Sequence, residues 1–205
     1  MHRKCILNIA MKLTKREQLE ITAKDLFWKH GFKKVSIDEI CKKANVSRKT
    51  YYTFYENKNA LVIYLYKKVV DEAYEIYEGV VESNMSFSEK LEKIFNYKLE
   101  FTKNISMEFI ADFYNPDAGE LTTLFNDTVE RSMKFMRNFL NIAQKNGDVN
   151  QDLSLDYIMF MMQKAIDLCG TKELMAMFPD VNVLTRQVTQ SIIYGIMPVK
   201  IIHNS

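Results

Sequence analysis

The chain has 205 residues, of which 47% are hydrophobic and 26% charged, so it can bury a core and does not belong to the disordered class. It has only six glycines and three prolines, which favours long helices over a strand-rich fold. The net charge of +2 hides an asymmetry, because residues 1–70 carry 16 Lys or Arg against 6 Asp or Glu, and residues 71–205 carry 12 against 20. A basic head on an acidic body indicates that the head alone meets a polyanion. The alternative is a solvated basic face without a partner.

The three cysteines, Cys5, Cys41 and Cys169, are far apart, and their spacing predicts neither a disulfide framework nor a metal site. No run of residues is long and apolar enough to cross a membrane. The apolar residues 5–11 are not followed by the small-residue cleavage site of a secretory signal, and Met11 is a candidate start of translation. We therefore expect a cytoplasmic protein that contains no metal or cofactor and has no membrane partner.

Capping signals divide the first part of the chain into four helices. Each helix starts at a Ser, Thr or Asn whose side chain can accept a hydrogen bond from the backbone three residues later. The signals are a Thr14–Glu17 capping box with Gly31 at the far end, a Ser36–Glu39 box, Ser47 as the cap of a helix to about Phe54, and Asn57 as the cap of a helix to about Ser83.

The remainder of the chain repeats this pattern, and no alternation typical of strands interrupts it. The predicted helices run from Ser86 or Ser88 to about Lys103, over about Ser106–Tyr114, from Asp117 with Glu120 to Asn146-Gly147, from Ser154 to just before Pro179, and over about Val181–Met197. The expected fold is all-α, with a helix-turn-helix domain at residues 12–58 and a larger helical regulatory domain at residues 59–205.

The second and third predicted helices are short, and a turn of three residues, 45–47, separates them. This arrangement is typical of a helix-turn-helix, in which the second helix presents its first residues to the major groove of DNA. Val46, Tyr51 and Phe54 are predicted to face inward. Arg and Lys can donate to guanine, and the Thr methyl and hydroxyl suit thymine or a phosphate. The outward residues are expected to be Arg48, Lys49, Thr50 and Thr53.

Residues between Thr14 and Leu61 resemble the N-terminal signature of the TetR (tetracycline-repressor-like) family of transcriptional regulators. The resemblance is specific in order and spacing, whereas the rest of the chain agrees with the family only in size and number of helices. The matching residues are Arg16, Ala23, Phe27, Gly31-Phe32, Ser36-Ile37, Ile40, Ala44-Asn45-Val46-Ser47, Thr50, Tyr52, Tyr55, Lys58 and Leu61.

The resemblance implies a role in DNA binding for several individual side chains. Tyr52 would bind a phosphate through its hydroxyl, Lys58 would approach a phosphate near the start of the fourth helix, and Ser36 would meet one from the second helix. The full set of implied DNA-binding residues is Ser36, Ser47, Arg48, Lys49, Thr50, Tyr52, Thr53 and Lys58.

The chain departs from the family pattern at four positions. Asn45 replaces the usual turn glycine, which is tolerable because asparagine adopts left-handed conformations. Lys49 stands where the family often has a small residue, so base preference does not transfer. Tyr51 and Tyr55 replace Leu and Phe, and we expect both to pack in the core.

The last two long helices carry apolar stripes that could form a dimer interface. The resemblance implies this too, because such regulators dimerise through a four-helix bundle of their last two long helices. The alternative is that both stripes fill the core of one protomer. The expected interface residues are Ile158, Met162, Leu184, Val188, Ile192 and Ile196.

The middle helices are rich in aromatic residues and methionines, which are either plain core or the pocket for a small apolar effector that the resemblance places among these helices. Asp112 and Asp167 lie in apolar segments, where they could pair with a cationic ligand or face solvent. The fourth helix is expected to be the only continuous element that touches both the DNA-binding head and the pocket. The candidate ligand-binding residues are Phe95, Leu99, Phe109, Phe113, Met133, Met136, Phe139, Gln163 and Asp167.

Two other classes of function compete with a ligand-responsive regulator. An enzyme is disfavoured, because the three histidines form neither a triad nor a metal site and no glycine-rich phosphate loop is present. The alternative is a constitutive architectural or division-associated DNA-binding protein without an inducer. The favoured hypothesis is a repressor that binds double-stranded palindromic operator DNA as a homodimer and is released by a small molecule.

Overall fold

The computed structural model describes residues 13–114 and 119–198, and within these ranges the chain is helical with no strand. The predictions for residues 1–12, 115–118 and 199–205, among them those for Cys5, Met11 and Asp117, lie outside the described residues. Within the same ranges, none of the helices combines the length and hydrophobicity that a membrane-crossing helix requires. The helices are α1 Lys15–His30, α2 Ile37–Ala44, α3 Arg48–Phe54, α4 Lys58–Glu82, α5 Phe87–Thr102, α6 Met107–Phe113, α7 Glu120–Lys145, α8 Leu155–Cys169, α9 Lys172–Met175 and α10 Val181–Ile196.

Local side-chain caps fix most helix starts at the expected residues. The Thr14–Glu17 box is complete, since each side chain bonds the backbone N–H of the other. The box at Ser36 is only half formed: Ser36 accepts from the Glu39 N–H, but the Glu39 carboxylate pairs with Lys43 at 3.2 Å. One capping bond is sufficient to set the start of α2.

The structure corrects the expected course of the chain after α6. Helix α7 begins at Glu120 after Gly119, which has a φ of 56° and provides no side-chain cap. Helix α8 ends at Cys169 and not near Pro179, and Thr171 then caps the short helix α9. Gly170 follows α8 at a point where a Cβ atom would lie only 2.1 Å from the ring of Tyr114, so the close approach of this ring accounts for a glycine here.

Two apolar clusters form the core of the protein. The first contains the inner faces of α1 to α3 and the first half of α4, and it extends to Phe109 and Phe113 of α6 and to Leu121 of α7. The second contains residues of α5, α7, α8 and α10, including Phe139 and Ile158. The head therefore shares its core with part of the body, and the second cluster belongs to the body alone.

Helix α6 packs directly on the end of α1, so α4 is not the only element that joins the head to the body. The ring of Phe109 lies 4.4 Å from the ring of Trp28, measured between centroids, and the Asp112 carboxylate accepts a 3.0 Å bond from the Lys33 N–H. Gly31 has a φ of 79°, and a Cβ atom there would lie 2.8 Å from an Asp112 oxygen. The backbone conformation favours glycine here, and a larger residue would also have to displace the Asp112 carboxylate.

Candidate functional site

The turn between α2 and α3 sets the orientation of α3. Asn45 adopts the left-handed conformation expected of it, with φ 52° and ψ 48°, and the Val46 N–H donates to the Cys41 carbonyl at 3.0 Å. On the inner side of α3, Tyr51 is fully buried and its hydroxyl donates to the Asn57 carbonyl. This anchor holds α3 so that its opposite face is turned to solvent.

The exposed face of α3 carries the side chains expected to read DNA. Lys49 is exposed, and Arg48 lies 3.0 Å from Asp38 of α2. The Arg48 guanidinium also lies 6.0 Å from the centre of the Tyr52 ring and within a long hydrogen bond of its hydroxyl, which holds the pKa of Arg48 above its usual value. Tyr52 is 47% exposed, so its hydroxyl is accessible. These groups can form a cationic and hydrogen-bonding surface of the kind that meets a groove and its phosphates.

Several hydroxyl groups at this surface already have partners within the protein. Ser47 accepts from the Thr50 N–H as the cap of α3, Thr53 donates to the Thr50 carbonyl, and Ser36 caps α2. Phe54, expected to face inward, is 40% exposed instead, and Tyr55 takes the buried place beside it. The reason is that the chain leaves the helix after Phe54, since Tyr55 has an extended backbone.

The Lys58 side chain forms hydrogen bonds within the protein that the sequence did not indicate. Its ammonium donates to the carbonyls of Lys33 and Val35, at 3.1 and 2.9 Å, and so ties the α1–α2 loop to the start of α4. Burial lowers the pKa of Lys58. The predicted phosphate contact of this ammonium would have to compete with two carbonyls that already hold it.

The residues expected to form one ligand pocket are divided between several places. Phe109 and Phe113 are buried in the first apolar cluster, and Phe139 is buried in the second, with Met133 and Met136 packed against it. Leu99 is also buried, whereas Phe95 is only partly so. This aromatic and methionine set is therefore mainly core in the described structure.

The two candidate acidic groups do not point into a common space. The Asp112 carboxylate accepts a hydrogen bond from the Lys33 N–H, where α6 of the body meets the head. Asp167 lies on the outer side of α8, where it accepts from Gln163 at 2.8 Å and pairs with Lys164 at 3.1 Å. The expectation that Gln163 and Asp167 face a cationic ligand is therefore not supported by their positions.

The predicted dimer residues are divided as well. Ile158, Leu184 and Ile196 are at most 7% exposed within one protomer, so they belong to its core and not to a free surface. The other three, Met162, Val188 and Ile192, are partly buried. A groove of about 530 Å³ runs between α8 and α10. Its apolar walls include the exposed Tyr157, Met161 and Leu168 of α8 and the partly buried Val188 and Ile192 of α10.

Comparison with known proteins shows what the head of the chain is similar to. Residues 22–65 match the family model described as bacterial regulatory proteins of the tetR family. The uncharacterized HTH-type transcriptional regulator YhgD of Bacillus subtilis is 27% identical over 137 residues, which are 67% of this chain and 71% of that protein. Residues 22–65 of the chain are therefore similar to the tetR family.

Solved structures share the fold of most of this chain. FadR from Bacillus subtilis, in complex with stearoyl-CoA, has a TM-score of 0.65 at 18% identity and covers 87% of this chain and 97% of its own. A regulator from Saccharomonospora viridis, in complex with choline, has a TM-score of 0.68 at 18% identity and covers 90% and 98%. At these identities the similarity shows that the chain shares their fold.

Sequence reasoning missed the outer face of α8. The sequence does contain a signal for this second apolar face. Tyr157, Met161 and Leu168 repeat at helical spacing on one side of the helix, and Ile158 and Met162 lie on another side. A helix that is apolar on two faces needs two partners, one in the protomer and one outside it.

Lys58→Met should lower the melting temperature, because two loop carbonyls lose a charged donor worth about 1–2 kcal/mol. The slope of DNA affinity against salt should change little. Calorimetric melting and binding to random DNA at several salt concentrations measure the two quantities. Lys67→Met, at an exposed lysine on the same helix, is the control and should alter neither. An unchanged melting temperature together with a smaller slope of DNA affinity against salt would instead support the predicted contact of Lys58 with a phosphate.

Proposed function

We propose that the protein is a repressor that binds a palindromic operator as a homodimer and leaves it when a small molecule binds the regulatory body. The similarity of residues 22–65 to the tetR family supports a role in transcription regulation. The observation that carries the proposal is the division of α3 between the buried anchor Tyr51 and an exposed face with Arg48, Lys49 and Tyr52. Regulation by binding, and not catalysis, is the expected activity, and the cytoplasm is its expected place.

The exposed face of α3 suits the major groove of DNA. Arg48 and Lys49, at the N-terminal end of α3, would reach base edges, while Tyr52 and the caps Ser36 and Ser47 would lie near phosphates. The Arg48–Asp38 pair is exposed on both sides, so water already weakens it and a guanine can displace the carboxylate at little cost. Two such faces in a dimer would contact half-sites about one helical turn of DNA apart.

Arg48→Ala tests the base-reading role on DNA that the wild-type protein selects from a random pool. Loss of a bidentate guanine contact should weaken binding to the selected sequence by about 1–3 kcal/mol, with a smaller loss on random DNA. Fluorescence anisotropy at fixed salt measures both affinities.

Arg137→Ala is the matched control, since Arg137 is also an exposed arginine paired with an aspartate, Asp156, but lies on the body. It should leave both affinities unchanged. If Arg48→Ala weakens binding to selected and to random DNA equally, Arg48 contacts only the DNA backbone. The proposal that the exposed face of α3 reads bases would then be wrong.

The dimer is proposed to form at the groove between α8 and α10. The groove exposes large apolar side chains that a second copy of the chain would cover, among them Tyr157, Met161 and Leu168. An exposed apolar surface of this kind is typical of an interaction site. Tethering two heads in this way would allow both half-sites to be bound at once, which raises the affinity for the operator.

A response to a small molecule is proposed from the helical body and its links to the head. Two solved proteins of this fold hold ligands of opposite charge, stearoyl-CoA and choline, so the fold itself does not determine the ligand. Helix α4 and the contact of α6 with α1 are two routes by which the body can move the head. A tenfold change in operator affinity needs about 1.4 kcal/mol of coupling, and operator DNA would weaken ligand binding by the same factor.

A further inference from the structure

An open groove of about 1070 Å³ lies where the head meets the body. One wall is α1 from Ile21 onward, and the other is the end of α5 with its connection to α6, residues 103–106. This junction groove shares no lining residue with the groove between α8 and α10. A molecule that occupied it would therefore touch the head and the body at the same time.

The charged side chains that line the junction groove are mainly cationic, with four lysines against two carboxylates. Two of the lysines have carboxylate partners, because Lys103 pairs with Glu100 across one turn and Lys43 pairs with Glu39 of α2. Both pairs are exposed, so water already weakens them. The lining charges are Lys24, Asp25, Lys29, Lys43, Glu100 and Lys103, together with His30.

The other two lysines, Lys24 and Lys29 of α1, have no such partner. Neither takes part in any ion pair found within residues 13–114 and 119–198. Asp25 lies one turn before Lys29, yet no ion pair of the described residues includes it either. The groove thus keeps two ammonium groups and one carboxylate without a salt bridge, and this excess of positive charge favours an anion.

The apolar part of the lining is aromatic and held in place. The Trp28 ring packs on Phe109 of α6 with ring centroids 4.4 Å apart, and the Lys24 ammonium lies 5.8 Å from the centre of the Trp28 ring. A cation beside a fixed aromatic wall suits a molecule that has both a negative group and a flat apolar part. The apolar residues of the groove are Ile21, Leu26, Trp28, Phe101 and Ile105.

Trp28 also carries an unsatisfied hydrogen-bond donor. The residue is only 5% exposed, and its indole N–H is buried and has no hydrogen-bond partner in the described part of the chain. A buried donor without an acceptor is unfavourable. The empty groove therefore keeps an unsatisfied donor in its wall, which an oxygen of a bound molecule would satisfy after a small movement of that wall.

We propose that the junction groove binds a small organic anion, with its negative oxygens near Lys24 and Lys29 and its apolar part against Trp28 and Phe101. The proposal gives the small molecule of the proposed response a location and a chemical class, and only its effect on DNA rests on that response. It moves the expected pocket away from the middle helices, whose aromatic and methionine side chains are mainly core.

A bond between head and body would transmit this binding to the head. The Ser106 N–H donates to the Trp28 carbonyl at 2.8 Å, and the Ser106 side chain accepts from the Phe109 N–H as the cap of α6. The same two residues, Trp28 and Ser106, line the groove. A bound anion would therefore change the contact through which α6 meets α1.

Tryptophan fluorescence of the full-length protein tests the proposal, because Trp28 is the only tryptophan of the chain and lines the groove. The anionic probes are benzoate and phenyl phosphate, with benzyl alcohol and benzylamine as neutral and cationic probes of similar shape. At least one of the two anions should change the emission in a saturable way. Benzyl alcohol, benzylamine and inorganic phosphate should not do so at the same concentrations.

Three variants test the charges. Lys24→Met combined with Lys29→Met should weaken anion binding about tenfold or more, because both unpaired ammonium groups are lost. Asp25→Asn should strengthen it about twofold, since it removes the carboxylate one turn before Lys29. The control combines Lys67→Met with Lys134→Met, two exposed lysines outside the groove, and should leave the affinity unchanged.

Three results of these titrations would each overturn the proposal. They are equal anion affinities of the Lys24→Met, Lys29→Met double variant and the wild type, a response to benzyl alcohol, benzylamine or inorganic phosphate as large as the response to the organic anions, and no response to either organic anion. A fourth result would come from random DNA. If the double variant binds random DNA more weakly, with a smaller slope of affinity against salt, the two lysines contact DNA phosphates and the anion site is wrong.

Binding of selected DNA keeps this outcome apart from the proposed function. The double variant should bind the selected DNA as the wild type does, but the anion should release it only at about tenfold higher concentration. If the anion binds through both lysines without changing the affinity for selected DNA, the anion site is supported and the proposed release fails. If the anion releases the double variant and the wild type equally well, the release acts through another site and the junction groove is not the effector site.

Discussion

Met161→Asp is expected to convert the protein to a folded monomer and to lower its affinity for operator DNA by roughly a hundredfold or more. Met161 is 45% exposed in the protomer and lines the groove between α8 and α10, so the change leaves the fold of one chain intact. A second copy would bury the new carboxylate in an apolar interface without a partner, which is strongly unfavourable. Sedimentation velocity and binding to selected DNA measure the two effects.

Ile142→Asp provides the control for this experiment, because Ile142 is also an exposed apolar residue, 57% exposed, on α7 and outside the groove. It should leave both the dimer and the DNA affinity intact. A Met161→Asp protein that sediments as a dimer with wild-type affinity would place the interface elsewhere. The partly buried Ile192, chosen from the sequence, is a less clear target, because an aspartate there could also unfold the protomer.

The second large effect is expected at Glu20, a buried carboxylate that joins α1, α4 and the residue after α3. It accepts from the Tyr55 hydroxyl at 2.7 Å and from Arg16 at 2.9 Å, and it pairs with Lys68 at 3.3 Å. Burial alone would raise the pKa of Glu20, but these three bonds together lower it. Glu20→Gln should cost about 2 kcal/mol, less than for a fully buried pair because Arg16 and Lys68 are half exposed.

The pH dependence of this loss follows from the direction of the pKa shift. Because the folded pKa of Glu20 lies below the unfolded one, its contribution is complete above the unfolded pKa of roughly 4.3 and disappears as the pH falls through the folded pKa. The difference in unfolding free energy between wild type and Glu20→Gln should therefore be largest near neutral pH and shrink in acid. Glu75→Gln, at an exposed position on α4, should show no such difference. A difference that persists unchanged in acid would mean that shape, and not charge, makes Glu20 important.

The positions of most helices could be predicted from the sequence because their caps are local. Thr14, Ser47 and Asn57 each accept from a backbone N–H three residues further on, so the signal and the structure lie within one turn. The family signature has the same origin, since its residues lie within one short stretch of the chain. The end of α8 at Cys169 was not predicted. The next residue, Gly170, lies against the ring of Tyr114, which comes from a distant part of the chain, so no local signal marks this contact.

What the sequence alone determined is therefore the all-helical class, the two short helices with their three-residue turn, and the burial of Tyr51 opposite an exposed face of α3. Tertiary structure decided which of two apolar faces of α8 is inside, because Ile158 and Met161 are equally suited to burial until their neighbours are known. It also decided the role of a charged side chain, since the ammonium of Lys58 is held by carbonyls more than twenty residues away. The energy of a charge depends on its surroundings, and residues distant in sequence supply those surroundings.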